Sequence, residues 1–464
     1  MIQIEKPIEI IIKASGTQKI TKDAYRHLHY LQECKTEDGI LLYNLLTREL
    51  LLLNDCEYSD FQNINLKNPI VNYLIKNWFL VPLSFDEYLF LQQINNIAKV
   101  IYENDSKHFI KGFTIFPTTD CNARCFYCFE NGCKKIDMSE QTARDVVDFI
   151  LKKSDGTNVH LSWFGGEPLY NSKVIDIIVQ GLKDNGINPH SSMVSNAYLF
   201  NKELVDKAKK FWNLEKIQIT LDGTENIYNK VKAYIYKDEI SPFQRVINNI
   251  KLLLEADVAV RVRLNLDFHN YDDLEVLIND LAKQYSKYEK FSIYISLLYE
   301  NAGKNKFVRS DEKKILLWNR YDQLCSLISS YGMPAYNTLK IYRRFTHCMA
   351  DSKFTTMILP DGSLGKCENY VDDNFYGSIY SDNVDQFYID KFKEVCDCGE
   401  QCRSCALQPK CLGLKVCPNH AKTCDEFDKK NKIKHLKEQI LASYRYYIKN
   451  KKNEELSEDS EFCE

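Results

Sequence analysis

The chain has 464 residues, a formal net charge of −3, 44% hydrophobic and 27% charged residues, and 17 cysteines. Its size and composition are those of a globular protein of two or three domains with ample cores, and its charge balance offers no basic field for nucleic acid or a membrane surface. No apolar run approaches a membrane span and Met1 to Lys6 has no signal-peptide pattern, so a cytoplasmic protein is expected. In a reducing compartment dense, clustered cysteine reads as metal ligation rather than a disulfide scaffold. Twelve of the cysteines fall within residues 121–128 and 348–424. The other five (Cys34, Cys56, Cys133, Cys325, Cys463) read as packing residues or inert thiols.

Residues 1–95 predict a small α+β domain. Asp38-Gly39 marks a turn, and Ile40–Tyr43 and Leu50–Leu53 flank Thr47-Arg48-Glu49 as hairpin strands would. Short helices follow around Cys56–Ile64 and Pro69–Trp78, then a strand-like Phe79–Val81. A small sheet with short helices is compatible with a winged-helix fold.

Between residues 108 and 300 the pattern becomes βα units around a parallel sheet. Strands are predicted at Phe113–Pro117, Val159–Phe164, Ser192–Ser195, Ile217–Leu221, Val258–Leu266 and Phe291–Leu297. Helices are expected over Ser139–Lys152, with Ser139 as a capping residue, and over Pro242–Leu254. Residues 301–344 read as a helical bridge, with Ile315, Leu316, Trp318, Leu324 and Ile328 of Asp311–Tyr331 as its packing face. Residues 345–428 hold the second cysteine region. Residues 429–464 form a C-terminal helix and tail, expected to fray beyond Lys449.

The first cysteine region, Thr118-Thr119-Asp120-Cys121-Asn122-Ala123-Arg124-Cys125-Phe126-Tyr127-Cys128-Phe129-Glu130, spaces three thiols C-x3-C-x2-C on one loop. Thiolates suit iron–sulfur clusters, and a cluster with three protein ligands keeps one iron free. A zinc site would favour paired C-x2-C knuckles closed by a fourth ligand. The loop, the apolar strand before it and Tyr127 resemble the radical S-adenosylmethionine (SAM) enzymes. That resemblance implies a [4Fe–4S] cluster on Cys121, Cys125 and Cys128 whose free iron is chelated by SAM. It also implies a partial (β/α)6 TIM-like barrel, matched by the six predicted strands, with its chemistry at the strands' C-terminal ends.

Those ends carry further matches. Gly165-Gly166-Glu167-Pro168 follows the second strand, where the family places a G-G-E-P element beside the SAM amino group. Ser195-Asn196-Ala197 stands in place of T-N-G after the third. Gln218-Ile219-Thr220-Leu221-Asp222-Gly223 resembles I-S-L-D-G on the fourth, with Gln218, Thr220 and Asp222 on one face. On the fifth strand Arg261, Arg263, Asn265 and Asp267 alternate with apolar residues, and a polar row pointing into a barrel suggests a polar ligand. Arg263 and Asn265 are the candidates for the SAM carboxylate and ribose; a salt-bridge network inside the barrel is the alternative.

From Cys348 the spacing resembles a SPASM extension. Cys348 and Cys367 flank a Pro360-Asp361-Gly362 turn between apolar strands, so a hairpin can bring them together. Cys402-x2-Cys405-x5-Cys411 repeats the family's central motif, and Cys417-Pro418 and Cys424 follow, with five residues rather than three between Cys411 and Cys417. The resemblance implies two auxiliary [4Fe–4S] clusters, three clusters in all. The outer one falls to Cys402, Cys405, Cys411 and Cys424. The inner one falls to Cys348, Cys367 and Cys417, with either an open site or a further ligand, for which Cys396 and Cys398 are the candidates.

Together these matches imply an oxidoreductase that modifies a peptide, supplied with electrons by a flavodoxin or ferredoxin. The leading expectation is a maturase that installs Cys thioether cross-links in a ribosomally synthesised precursor peptide, with residues 1–95 resembling a leader-binding domain. A family-specific cap with no peptide affinity is the equal alternative for that domain. The rival is an anaerobic sulfatase-maturing enzyme, favoured by Glu368 directly after Cys367, where those enzymes place a carboxylate base. A redox-responsive iron–sulfur regulator binding DNA is the third reading; the net charge of −3 and the SAM-contact motifs argue against it.

Overall fold

The computed structural model describes all residues except 8–14, 105–108, 237–238, 299–308, 335–338, 340–347, 371–374, 395–398, 412–414, 418–425 and 462–464. The N-terminal unit contains β1 (Ile2–Glu5), β2 (Tyr25–His27), β3 (Leu31–Thr36), β4 (Gly39–Asn44), β5 (Leu50–Leu53) and β6 (Leu80–Pro82). Four of these form an antiparallel sheet in the order β1-β5-β4-β3, while β2 pairs with β6. The expected hairpin is present, with Ile40 opposite Leu53 and Tyr43 opposite Leu50. It occupies the middle of the sheet, so β1 and β3 are the edges.

Strand alternation decides what covers this sheet. Leu42, Leu51 and Leu53 face the local helices Asp55–Gln62 and Pro69–Lys76, joining Phe61, Val71, Leu74 and Ile75. Leu41, Tyr43, Leu50 and Leu52 face the other way, onto Leu436, Ile440 and Tyr444 of the C-terminal helix Glu426–Glu461. Two helical layers nearly 400 residues apart in sequence thus sandwich one small sheet. The helix Glu87–Asn104 runs past residue 95.

Among the described residues the central sheet has nine strands: β7 (Gly112–Ile115), β8 (His160–Trp163), β9 (His190–Ser195), β10 (Leu214–Leu221), β11 (Ala259–Leu266), β12 (Phe291–Leu297), β13 (Thr355–Ile358), β14 (Ser363–Gly365) and β15 (Gly377–Ser378). Their order is β12-β11-β10-β9-β8-β7-β13-β14-β15. The strands β7 to β12 are parallel neighbours in sequence order, as βα units dictate. Helices Glu140–Lys153, Ser172–Asp184, Lys202–Lys210, Pro242–Glu255 and Asp273–Tyr285 connect them. Ser139 caps the first of these by accepting from Thr142 N. Val260, Val262, Leu264 and Leu266 of β11 are all buried against the helical layer, each contributing about 1.5–3 kcal/mol.

Two features differ from the sequence reading. In Asp311–Ser330 the buried face is Leu317, Tyr321, Leu324 and Ile328, a 3.6-residue period that leaves Ile315 and Leu316 exposed. The C-terminal helix continues past Lys449 to Glu461, since its lysines and glutamates are good helix formers with no glycine or proline among them. No helix among the described residues is long and apolar enough to cross a membrane.

Candidate active site

The strand ends of β7 to β11 converge on the loop carrying Cys121, Cys125 and Cys128. The loop is held mainly by backbone. Gly166 N donates to Thr118 O at 3.2 Å and Glu167 N to Asp120 O at 2.9 Å. A Cβ on Gly165 would stand 2.3 Å from Thr118 O, and one on Gly166 2.1 Å from Asp120 O. The two glycines are thus required for one loop to lie on another. Ile235 N donates to Asn122 O at 3.0 Å and Arg124 N to Lys232 O at 2.8 Å, closing the other side.

Glu167 is fully buried and bridges two strand ends. Its carboxylate accepts from Ser195 Oγ at 2.8 Å, Asn196 N at 2.8 Å and Leu169 N at 3.2 Å. Burial pushes its pKa up to about 7, and those three bonds hold it from rising further. Pro168 is buried and opens the short turn Pro168–Asn171. Asn196 carries the link onward, its amide donating to Asn122 Oδ1 at 2.7 Å and reaching Cys121 Sγ at 3.8 Å. Ala197 is buried with φ at +60°, a conformation that favours the glycine of T-N-G; this chain adopts it with a methyl group instead.

Asp222, at the end of β10, is surrounded. It receives Tyr127 Oη at 2.8 and 2.9 Å, Asn265 Nδ2 at 3.2 Å and Lys232 Nζ at 3.0 Å. Lys232 also donates to Tyr127 Oη at 3.2 Å. Burial disfavours its charge, but Asp222, Cys125 and Tyr127 outweigh burial and hold it firmly protonated. Lys232 escaped the sequence reading because a lysine at the end of an ordinary helix carries no motif; only its distance to Asp222 reveals it.

Deeper in the barrel Tyr294 Oη donates to Gln218 Oε1 at 2.7 Å, and Arg263 Nη2 to Ser296 Oγ at 3.0 Å, with Thr220 beside Arg263 in register. The polar row on β11 is therefore built into cross-strand bonds at Arg263 and Asn265.

Burial raises all three loop thiols, Cys121 to about 12 and Cys128 to about 11; Glu167 raises Cys121 further and Glu130 raises Cys128, while at Cys125 the Lys232 ammonium opposes the rise and Asp222 adds to it. Cys121 and Cys128 also feel Cys125, so the thiols lie close together. Among the described residues no three Cys, His or carboxylate groups converge tightly enough for one metal ion. Three thiols on one loop suit a cubane, in which each thiolate binds a different iron. Ala123 N and Asn196 Nδ2 point at Cys121 Sγ, as donors to a ligating sulfur do. Asn122 Nδ2 and Asn265 Oδ1 are buried without a partner, and both imidazole nitrogens of His269, which packs edge-on to Phe126, are likewise unpaired. The loop and its rim fit an iron–sulfur cluster with a polar ligand beside it.

In the second cysteine region β13 and β14 form the expected hairpin, with Met357 opposite Gly365. Cys348 feels Cys417 and Glu368 electrostatically, and Cys367 feels Cys348 and Glu368, so these four groups are near one another. Glu368 opens the short turn Glu368–Tyr370. Cys367 and Cys417 pack against the central core, whereas Cys405 and Cys411 pack against the N-terminal unit. Cys402 stands one turn from Cys405, whose N–H donates to Cys402 O at 3.2 Å. Cys396, Cys398 and Cys424 lie outside the described residues. Cys34 and Cys325 are buried core residues and Cys56 is exposed.

Residues 115–281 match the family model described as the radical SAM superfamily. The chain is 22% identical to a radical SAM cyclopropyl synthase, TigE, of Paramaledivibacter caminithermalis, across 64% of this chain and 73% of that one. It is 26% identical to an uncharacterised protein of Methanocaldococcus jannaschii, across 46% of this chain and 84% of that one. Its fold is similar to that of Streptococcus suis SuiB bound to precursor peptide SuiA, with a TM-score of 0.52 and 14% identity over 86% of this chain and 99% of that one. It is similar also to anSMEcpe with bound AdoMet, with a TM-score of 0.52 and 16% identity over 74% and 99%. The superfamily implies SAM and a [4Fe–4S] cluster, the group that the three-cysteine loop fits. Residues 115–281 form a radical SAM domain, and the chain is an enzyme built around it.

Proposed function

We propose that the chain is a peptide maturase that installs cross-links, by this reading Cys thioethers, in a ribosomally synthesised precursor peptide. The observation that carries it is the second thiol group, Cys348, Cys367 and Cys417, gathered at the edge of the sheet that bears the radical loop. Likeness to SuiB, solved bound to precursor peptide SuiA, and to anSMEcpe, solved with bound AdoMet and Cp18Cys peptide, supports a peptide substrate. When bound, a cluster on the loop cysteines together with SAM would supply hydrogen-atom abstraction, and auxiliary clusters on the second cysteine region would accept an electron. Forming a thioether from a thiol and a C–H bond then balances: a hydrogen atom goes to the adenosyl carbon, a proton leaves the thiol, and one electron is passed on.

The chain's own residues bind and orient. Cys402, Cys405 and Cys411, with Cys424, would hold the outer auxiliary cluster. Cys348, Cys367 and Cys417, with Cys396 or Cys398, would hold the inner one. Glu167 and Asn196 fix the rim beside Cys121, and Arg263 and Asn265 line the wall for the polar ends of SAM. The barrel wall keeps water from the radical. A flavodoxin or ferredoxin would supply the electrons.

The test is anaerobic reconstitution with a cysteine-rich candidate precursor. 5′-Deoxyadenosine should form, and the peptide should lose two hydrogens and one alkylatable thiol per cross-link. Full zinc occupancy with no iron would overturn the reading; loss of hydrogens with every thiol retained would move the product to carbon–carbon bonds. A second reading, oxidation of a peptide Cys or Ser to formylglycine, is favoured by Glu368 beside Cys367. It predicts an aldehyde on a short sulfatase peptide, abolished in Glu368→Gln.

A further inference from the structure

The Lys232–Asp222 pair is costly as a device for stability. Both side chains are almost fully buried, 4% and 0% exposed. Desolvating two such charges costs several kcal/mol each, and an apolar pair would fill the space as well. Its location is specific. The Lys232 carbonyl holds Arg124 N, the residue before Cys125, and its ammonium lies 3.2 Å from the hydroxyl of Tyr127, two residues after Cys125. Tyr127 in turn donates to Asp222 and lies close enough to influence the Cys125 thiol.

We propose that Lys232 is a positioning residue that sets the reduction potential of the loop cluster by holding a buried positive charge against Tyr127 and Cys125. A one-electron reduction adds negative charge to the cluster, and a cation in a low-dielectric wall stabilises that state. Asp222 keeps the ammonium protonated and pointed at the loop, and Tyr127 connects the pair to the sulfur. Glu130 beside Cys128 acts in the opposite sense, as does Glu167 beside Cys121 once it is ionised. Lys232 therefore offsets an otherwise acidic surround. The inference rests on the assignment of a cluster to Cys121, Cys125 and Cys128.

The test is a dithionite titration of the anaerobically reconstituted full chain, following the electron paramagnetic resonance signal that changes when SAM is added. Lys232→Met should disfavour reduction at least tenfold, a 59 mV fall for a one-electron couple. Asp222→Asn, read at pH 6.5 so that Lys232 keeps its charge, should shift the potential upward, and Lys232→Arg should return it toward the parent. Should Lys232→Met lose its cluster, Lys232→Gln removes the same charge in a polar shape. Parental potentials in both charge-removing variants overturn the proposal, as does a shift of the same sign in both, which would report only a loosened loop. Absence of any SAM-responsive iron signal in the parent protein would instead overturn the cluster assignment.

Discussion

Glu167 joins three pieces of chain that lie far apart in sequence, and its replacement tests what holds the SAM rim. Without its carboxylate, Ser195 Oγ and Asn196 N lose their acceptor, and Asn196 is the residue that reaches Cys121. Loss of one charge-assisted bond costs about 1.5–3 kcal/mol, so Glu167→Ala should weaken SAM affinity roughly ten- to hundredfold while iron content stays at the parental level. Titration of SAM against the reconstituted variant checks this. The same residue makes a pH prediction. With its pKa raised to about 7, the folded chain holds a proton on Glu167 that the unfolded chain has released above its ordinary 4.5. Stability from this group is therefore present at low pH and lost as pH rises through that window, by on the order of 3 kcal/mol. Glu167→Gln should flatten that part of the pH profile of the metal-free chain, measured by thermal unfolding at pH 5 and pH 8. The motif made Glu167 legible in the sequence, since a carboxylate between Gly166 and Pro168 has few local roles. Its partners were not legible, because the bonds cross from β8 to β9.

At the scale of elements, the two halves of the second cysteine region are held by different forces. The hairpin β13–β14 continues the central sheet, with Thr355 to Ile358 paired in parallel to Gly112 to Ile115, and Met357 and Ile358 are fully buried. The segment around Cys402 to Cys411 has one helical turn, Glu400–Arg403, and no strand among its described residues. Order there would come largely from metal ligation, which is folding free energy for such segments. Chelation under mild conditions should therefore open residues 399–411 to proteolysis while the hairpin stays protected, and peptide mapping of the first cleavage sites would show which half gives way. Early cleavage at residues 355–365 would contradict this. The hairpin itself was legible from Pro360-Asp361-Gly362, and the six parallel strands from their apolar runs and βα spacing. That β13 extends the barrel sheet beside β7 was not, because parallel pairing of strands some 240 residues apart leaves no local pattern. The misread face of Asp311–Ser330 has a related cause. Several apolar residues compete there, and only contact with the barrel selects Leu317 over Ile315.

At the scale of the whole molecule, the N-terminal unit is braced by the far end of the chain, and this changes how peptide docking has to be tested. Its sheet buries one face on Leu436, Ile440 and Tyr444, and its core reaches Leu407 and the thiols of Cys405 and Cys411. His29 Nε2 lies 2.8 Å from Ser404 O, and Arg48 Nη2 donates to Pro409 O at 2.7 Å. Deleting residues 1–90 would expose that apolar surface, so the truncated chain is expected to lose iron from the outer auxiliary site and fails as a clean docking test. A leader segment that binds by strand addition needs a free edge, where backbone bonds supply affinity and a tether raises the local concentration of the core peptide. The hairpin of β4 and β5 has no such edge, since β1 and β3 flank it. With both faces covered by helices, the edges of β1 and β3 are, among the described residues, the places where a strand can add without unpacking a core. β3 is the longer edge, six residues against four. The expected outcome of adding a precursor peptide to the full-length enzyme is slowed amide exchange at residues 31–36, with residues 40–44 and 50–53 unchanged because their bonds are already made. Protection at residues 2–5 would move the docking edge to β1. Unchanged exchange at both edges, with peptide bound at saturating concentration, would leave the N-terminal unit as a brace for the auxiliary cysteines rather than a docking domain.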